Sequence, residues 1–352
     1  MSGDECRRRR GKMCCIFAAA AIIQAVGLMA ERSIFTGWDK RCTALWGNEP
    51  VFIGHNLHVS PLFSREGLAA LIENYPRERY NIFHMGAKSG DGWFWRQGDI
   101  SGMTGEEVIE AVSKGRLWLN LRNVNLVDPR YGKLLDDLLG ELSGYMPGFL
   151  TRRRGSGILI SSPNAQVYYH VDLPGQLLFQ ISGRKRVYFY PAHPPFITHE
   201  HLERTAVTGL GVDIPFAPWY DEYARIQDFE PGQMVHWPHF APHRVENHDC
   251  LNVSMTVDFS TEPILRAQMV NYANGILRCG FGVNPRSRSI SGLSFWAKAL
   301  LQKTLRDTAW MKKKKAAHAQ IEFRLDRDVP GGIVNLATPA AEGDRVMAHA
   351  EG

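Results

Sequence analysis

The sequence predicts a mainly β protein with flanking helices, an α+β class whose centre is an antiparallel sandwich or barrel. Short β-rich runs separated by glycine and proline occupy the middle of the chain, and helical periodicity lies on either side of them. Many short strands within about a hundred residues are typical of such antiparallel folds. The six predicted strands are residues 158–160, 166–170, 176–181, 185–190, 233–237 and 251–259.

Helical periodicity precedes these strands. Leu68, Leu71 and Ile72 share one face of residues 61–75, and residues 132–142 form a second helix candidate. We therefore divide the chain into five segments. These are a basic and apolar leader (1–30), an α/β region packing on the barrel (31–150), the β domain (151–262), a C-terminal helical region (263–328) and a disordered tail (329–352).

The C-terminal helical pattern is clearest over residues 293–310. Its apolar residues form one stripe, which would cap the barrel if the helix packs against it. The stripe consists of Leu293, Trp296, Leu300, Leu301 and Leu305.

The leader bears on localisation. Residues 13–30 carry no charge and follow four arginines, the pattern of a signal peptide or short membrane anchor, although a start codon assigned too early explains it equally. Outside the leader only Cys42, Cys250 and Cys279 remain, and their wide spacing allows neither a disulfide framework nor a CxxC metal site. We expect a cytoplasmic protein, with export or membrane anchoring through residues 13–30 as the alternative.

The net charge of +5 does not indicate nucleic-acid binding. The leader contributes +3 and residues 312–315 contribute +4, so the rest of the chain carries −2. A nucleic-acid-binding protein usually carries its positive charge as a stripe on the folded surface. Four lysines just beyond a helix also stabilise its C-terminus, so we do not expect a nucleic-acid partner.

A metal site is indicated by His170 and Asp172. Residues two apart on a strand point to the same face, so an HxD pair in a β-rich setting can bind one ion. A third ligand is available among His236, His239 and His243. Two histidines and one carboxylate are the ligand set of non-haem Fe(II) enzymes, in which three coordination sites stay open.

Residues 155–260 resemble the JmjC and cupin-like Fe(II)/2-oxoglutarate oxygenases, especially the branch of the factor-inhibiting asparaginyl hydroxylase. In that family a glycine precedes the distal histidine by eleven residues and a proline precedes it by five. Gly232 and Pro238 fit this pattern and select His243 over the other two histidines. The resemblance implies a double-stranded β-helix (jelly-roll, cupin/JmjC) core, with Fe(II) bound by His170, Asp172 and His243.

The resemblance also implies a 2-oxoglutarate site. The family's lysine, fifteen residues after the first histidine, binds the far carboxylate, and Lys185 occupies this position. Lys185 shares a strand face with Val187 and Phe189, where a lysine requires either an anion or an exit to water. Snorkelling at the barrel mouth is therefore the alternative.

Further cosubstrate contacts are expected from the polar face of residues 251–259, which includes Thr256 and Asp258. Asp258 stands where the asparaginyl hydroxylase has an asparagine. The family's threonine three residues before the first histidine is replaced by Val167. Tyr168, on the same predicted strand face as His170, is a candidate to supply the missing contact.

These features predict an Fe(II)- and 2-oxoglutarate-dependent oxygenase that hydroxylates a protein side chain or a small molecule. Two alternatives stay open: a non-catalytic, transcription-factor-like module on a cupin scaffold, and a metal-dependent cupin enzyme that does not use 2-oxoglutarate, which Val167 allows. The C-terminal helices resemble in placement the dimerising helices of the asparaginyl hydroxylase branch. A homodimer through residues 293–310 is accordingly expected.

Overall fold

The computed structural model describes residues 33–85, 95–209, 211, 214–306, 321–329 and 332–336. The predicted leader, the lysine run at residues 312–315 and residues 337–352 of the predicted tail lie outside this part of the chain. Among the described helices, none combines the length and the apolar composition needed to cross a bilayer.

Strands and helices alternate over the N-terminal third, strands dominate the centre, and helices follow. The strands are β1 (Phe35–Thr36), β2 (Val51–His55), β3 (Tyr80–Met85), β4 (Trp95–Asp99), β5 (Leu117–Arg122), β6 (Arg153–Ser161), β7 (Gln166–His170), β8 (Gly175–Ser182), β9 (Lys185–Phe189), β10 (Arg225–Phe229), β11 (Gln233–His236), β12 (His243–Asn247), β13 (Asn252–Ser260), β14 (Phe323–Leu325) and β15 (Ile333–Asn335). The helices are α1 (Lys40–Leu45), α2 (Arg65–Glu73), α3 (Gly105–Lys114), α4 (Val124–Val127), α5 (Pro129–Tyr145), α6 (His199–Thr208), α7 (Glu262–Phe281) and α8 (Gly292–Leu305).

The strands β6–β13 form a jelly roll. They divide between two facing layers, one with the order β11-β8-β13-β6 inside the large sheet and one with the order β10-β9-β12-β7. The chain crosses between the layers repeatedly, and neighbouring strands are antiparallel. This is the double-stranded β-helix of cupins, so the predicted fold class is confirmed. The six predicted strands leave out β12 and also β10, an edge strand whose Arg225, Ile226 and Asp228 are exposed.

Strand β13 separates two environments. Val253, Met255 and Val257 are buried in the main apolar core, against helices α2, α3 and α5. The alternate residues, including Thr256 and Asp258, therefore face the space between the two layers of the jelly roll. That space has its own apolar cluster, whose members come from both layers. The cluster contains Leu178, Val187, Phe189, Phe229, Val235, Trp237 and Ala241.

The N-terminal strands extend the large sheet beyond the barrel. Strand β5 pairs with β6, and β3 pairs with both β5 and β4. Strands β1 and β2 continue the sheet at its other edge, beside β11. One continuous sheet thus supplies one wall of the barrel and one wall of the main core.

The C-terminal helices differ from the prediction. Helix α7 packs on α6 and α8, and the buried residues of α8 include Phe295 and Lys298. Three of the five stripe residues point outwards: Leu293 is 90% exposed, Trp296 62% and Leu300 63%. Leu301 and Leu305 are partly buried, and Leu305 packs against residues of α6 and α7. The stripe as a whole therefore does not cap the barrel.

Two short strands occur where helix and disorder were predicted. Strand β14 lies within residues 263–328 and pairs with β4, and β15, from the predicted tail, pairs with β14. Phe323 and Leu325 are buried in the main core. Three-residue strands show too little periodicity to be recognised from sequence, and these two are held by long-range pairing.

Candidate active site

Three potential metal ligands meet at one end of the barrel. His170 is the last residue of β7, Asp172 follows two residues later, and His243 begins β12, where it is the direct cross-strand partner of His170. The two imidazole centroids are 4.0 Å apart, and His243 Nε2 lies 3.4 Å from Asp172 Oδ2. One donor atom from each residue lies within 4.8 Å of the others, so the three could bind a single ion.

Backbone carbonyls orient both imidazoles. His170 Nδ1 lies 2.7 Å from the carbonyl oxygen of Tyr168, and His243 Nδ1 lies 3.3 Å from that of Ala241. Because a carbonyl oxygen only accepts hydrogen bonds, each Nδ1 carries the proton. The Nε2 atoms therefore face the other potential ligands, an arrangement common around metal-binding histidines.

The electrostatics of the site favour cation binding. Burial, together with neighbouring His243, lowers the pKa of His170 to about 4, so its imidazole is neutral at pH 7. Burial acts to raise the pKa of the Asp172 carboxyl, but the hydrogen bond and charge interaction with His243 outweigh it, and the pKa is lowered. A neutral imidazole and an ionised carboxylate are the protonation states that bind a divalent ion.

The other two histidines of the region have separate partners. His236 stacks on Trp46 at 3.9 Å, and its Nδ1 lies 2.8 Å from the carbonyl oxygen of Gln176. His239 Nε2 lies 2.7 Å from the carbonyl oxygen of Leu173. The structure thus brings His243, and neither His236 nor His239, to the HxD pair.

Lys185 lies deep between the two layers. It is 4% exposed, and Val187 and Phe189 on the same strand face belong to the interior apolar cluster. Among the residues that the structure describes, none forms a hydrogen bond or ion pair with its ammonium group. Burial lowers its pKa to about 8.

A small cavity of about 40 Å³ adjoins Lys185. Its walls come from both layers and from the N-terminal extension of the sheet. The lining residues are Met85, Trp118, Leu159, Ser161, Ala165, Gln166, Val167, Leu178, Lys185, Val245 and Asn247. Lys185 lies about 13 Å along the barrel from the metal ligands. Phe189, four residues further along the same strand, pairs with His243, and four residues of a strand span this length. An extended lysine and a short linear diacid together span such a distance.

A β-bulge lies beside Tyr168. Val167 pairs with Val245 and His170 pairs with His243, so three steps on β7 match two on β12. The extra residue breaks strict alternation, and Val167 lines the cavity while Tyr168 does not. The cosubstrate contact expected from Tyr168 therefore stays a prediction.

Thr256 and Asp258 face the barrel from β13 towards the metal-ligand end. Thr256 Oγ1 lies 3.5 Å from the carbonyl oxygen of Gly157, and Asp258 is the cross-strand partner of Gly155 and Gln176. Burial first, and then the negative charge of Asp172, raise the pKa of Asp258. Neither side chain lines the cavity beside Lys185.

Asn247 is a cavity residue that sequence reasoning missed. It is the cross-strand partner of Lys185, and its Nδ2 donates to Ser161 Oγ at 2.8 Å and to the carbonyl oxygen of Ser162 at 2.8 Å. Counting by twos along β12 from His243 reaches Val245 and then Asn247. Once β12 is recognised as a strand, the alternation of its side chains therefore identifies Asn247 as an inward-facing residue.

Comparisons with known proteins give limited matches. No family model matches the chain. The tRNA wybutosine-synthesizing protein 5 of Danio rerio is 32% identical over 83 residues, which are 22% of this chain and 25% of that protein. The chain therefore matches about a quarter of the length of this curated relative.

Solved structures with similar architecture include Escherichia coli proteins. An X-ray structure of E. coli ycfD aligns with a TM-score of 0.46 and 16% identity, covering 79% of this chain and 71% of that one. E. coli YcfD, described as a ribosomal oxygenase in complex with cobalt and 2-oxoglutarate, aligns with a TM-score of 0.42 and 16% identity, covering 80% and 72%.

Proposed function

We propose that this protein is an Fe(II)- and 2-oxoglutarate-dependent oxygenase that hydroxylates a C–H bond of a protein side chain or small molecule. The observation that carries the proposal is Lys185, a buried ammonium group without a partner among the described residues, inside the same barrel as the three potential metal ligands. A buried charge without a counter-ion is costly, so an anionic ligand is the natural complement.

The donor set fits Fe(II). His170, Asp172 and His243 supply two imidazoles and one carboxylate, which is the facial arrangement of non-haem iron oxygenases. Iron bound there with 2-oxoglutarate would supply activation of molecular oxygen for C–H hydroxylation. The protein's part is to fix the imidazoles through the carbonyl groups of Tyr168 and Ala241 and to keep the ligands deprotonated.

Lys185 would bind the distal carboxylate of the cosubstrate. Its ammonium group would neutralise one end of a dicarboxylate, and the other end would lie towards the metal. Leu178 and Val245 enclose this position and exclude water, which strengthens the ion pair. We propose Thr256, Asp258 and Tyr168 as further polar groups close to the reactants.

Two finer proposals rest on the sequence resemblance. They are placement in the asparaginyl hydroxylase branch and a homodimer through residues 293–310. The division into five segments is proposed from composition and periodicity, except that β14 and β15 lie in the segments expected to be helical and disordered. An intracellular, cytoplasmic location is proposed from the cysteine pattern.

Anaerobic titration tests the proposed function. Addition of Fe(II) and then 2-oxoglutarate to the full chain should produce a visible metal-to-ligand charge-transfer band, and admission of air should release succinate. Lys185→Met should weaken 2-oxoglutarate binding by about tenfold or more, since a buried charge-assisted contact is lost. Lys133→Met is the matched control, because Lys133 is exposed and, among the described residues, pairs only with Asp137.

The absence of both the band and succinate release would refute the proposal. Val167 supports a second candidate, because an apolar residue lines the cavity where the family has a threonine. In that case the protein is a metal-dependent cupin enzyme without 2-oxoglutarate. Tight Fe(II) binding that is lost in His170→Ala, with no response to 2-oxoglutarate, would identify this alternative.

A further inference from the structure

The three potential metal ligands are held in place in different ways. His170 ends β7 and His243 begins β12, and the two are cross-strand partners in one sheet. Asp172 lies outside the strands, in the connection formed by residues 171–174 between β7 and β8. Among the described residues, only His243 forms a hydrogen bond or an ion pair with its carboxylate. The position of Asp172 therefore depends on what holds this connection.

Two side chains bind the carbonyl oxygen of Leu173, the residue that follows Asp172. His239 Nε2 lies 2.7 Å from this oxygen, and Gln268 Nε2 donates to it at 2.9 Å. Because a carbonyl oxygen only accepts hydrogen bonds, His239 Nε2 carries its proton and is not free to bind a metal. Both lone pairs of the oxygen are then used by donors from other parts of the fold, the loop between β11 and β12 and helix α7.

The loop between β11 and β12 reaches two of the ligands. Within it, the carbonyl oxygen of Ala241 lies 3.3 Å from His243 Nδ1, and His239 extends to the connection that carries Asp172. His239 is itself held by Phe240, whose ring stacks on it with centroids 3.5 Å apart. Phe240 has a φ of +67°, a left-handed conformation that large side chains rarely adopt, and such strain persists only where the surrounding structure imposes it. The loop is therefore a rigid link between His243 and the backbone beside Asp172.

Leu173 has a second attachment that does not involve its carbonyl group. Its side chain packs against an apolar cluster on α6 and α7, which contains Ala206, Val207, Tyr272 and Ile276. This packing would keep the connection on the helices when a side-chain donor is removed, but it does not fix the direction of the carbonyl group. The two hydrogen bonds therefore set the orientation of the backbone beside Asp172 rather than the attachment of the connection to the fold.

We propose that His239 and Gln268 are positioning residues for the metal site. By holding the carbonyl group of Leu173 they fix the backbone beside Asp172, so that its carboxylate faces the two histidine ligands before a metal binds. This inference rests on the proposed function only for the presence of a divalent metal. Groups that orient a ligand contribute to metal affinity because that ligand does not have to be ordered on binding.

Titration of the full chain with Co(II), followed by visible absorption, tests the inference. His239→Phe removes the donor and keeps an aromatic ring in the stack, so it should weaken Co(II) binding by about tenfold or more. Gln268→Leu should weaken it in the same direction by removing the second donor. His239→Gln should restore most of the affinity, because its side-chain amide can place an N–H group near the position of Nε2. His58→Phe is the matched control and should leave the affinity unchanged: His58 Nδ1 also lies 3.1 Å from a backbone carbonyl oxygen, that of His55, but beside the start of β11 and away from the ligands.

A double-mutant cycle shows whether the effect passes through Asp172. If His239 acts by positioning this carboxylate, His239→Phe should change Co(II) affinity by less than about twofold in an Asp172→Ala background, where no carboxylate remains to be positioned. A merely structural role predicts the same loss in both backgrounds. At saturating Co(II), the visible absorption bands of His239→Phe should also differ from those of the wild type, because the carboxylate is displaced, whereas His58→Phe should keep the wild-type spectrum.

The outcomes separate this inference from the proposed function. Unchanged Co(II) affinity in both His239→Phe and Gln268→Leu, or an equal loss with and without the Asp172 carboxylate, would overturn the inference. Gln268→Leu, on a different element, carries the test if His239→Phe does not fold. Wild-type protein that binds Co(II) but does not respond to 2-oxoglutarate contradicts the proposed oxygenase alone, and wild-type protein that binds no Co(II) contradicts both.

Discussion

Lys185 and Glu203 are both buried and charged, yet their surroundings differ. Glu203, on α6, is fully buried, and each of its carboxylate oxygens has a partner: Arg278 Nε lies 2.7 Å from Oε2, and Asn274 Nδ2 lies 3.0 Å from Oε1. Arg288 adds a longer ion pair of 3.6 Å to the same group. Lys185, at 4% exposure, has no such partner within the described residues.

The difference teaches how to separate structural charges from binding charges. An ion pair in which both carboxylate oxygens of Glu203 are hydrogen-bonded within the fold connects α6 to α7 and needs no counter-charge from outside. A buried charge without a partner lowers stability unless a ligand supplies the opposite charge. Burial alone therefore does not indicate a site, whereas burial without a counter-charge does.

The largest expected effect on stability comes from removing the charge of Glu203. Glu203→Gln should lower the free energy of unfolding by about 3 kcal/mol or more, because Arg278 and Arg288 would lose their buried counter-charge. Glu200→Gln, which affects the same arginines from an exposed position, should cost less than about 1 kcal/mol. Urea denaturation measures both, and equal costs would contradict the distinction drawn here.

Sequence reasoning reached the Lys185 site but missed the Glu203 cluster, for a physical reason. Lys185 could be recognised because it is a lysine on the same face of a strand as Val187 and Phe189, where it breaks a local apolar pattern of period two. The partners of Glu203 lie about seventy or more residues away along the chain, so no local pattern reveals them.

Local pattern was also insufficient at β7 and β10. The HxD pair and His243 were found, but the bulge that turns Val167 rather than Tyr168 to the cavity depends on the register with β12. Strand β10 was missed because it is a polar edge strand that the sheet, rather than its own sequence, holds in place. Pairing across strands is the information that a single sequence lacks.

Through Lys185, the stability of the protein should depend on pH with the opposite sign to that expected for a lysine in an ion pair. Its pKa falls from 10.5 to about 8 on folding, so the unfolded chain binds more protons between these values. Stability should therefore rise with pH from 8 to 10.5, by at most about 3 kcal/mol. Below pH 8 the full penalty of the buried ammonium remains.

Lys185→Met isolates this effect. The variant should be more stable than the wild type at pH 7, and the difference should shrink towards pH 10.5 as the wild-type lysine loses its proton. Denaturation curves of both proteins over this pH range measure the difference, and contributions from other groups cancel. A variant that is less stable at pH 7 would mean that Lys185 already has a counter-charge in the protein without ligand.

The smallest expected effect concerns apolar rather than charged groups, on helix α8. Leu300 is 63% exposed, whereas Phe295 on the same helix is 2% exposed and packs against α7 residues. Leu300→Gln should change the unfolding free energy of a monomer by less than about 0.5 kcal/mol, whereas Phe295→Ala should cost about 3 kcal/mol or more.

Oligomeric state decides whether that contrast holds. If residues 293–310 join two copies of the chain, as proposed, Leu293, Trp296 and Leu300 become buried on association, and their exposure in the single chain no longer measures their contribution. Leu300→Gln would then lower the mass measured by light scattering and make stability less dependent on protein concentration. An unchanged mass, equal to one chain in both proteins, would refute the homodimer and leave the stripe as an exposed apolar surface. The same reasoning applies at both places. An exposed apolar stripe on α8 indicates a partner chain, and an unpaired buried charge at Lys185 indicates an anion.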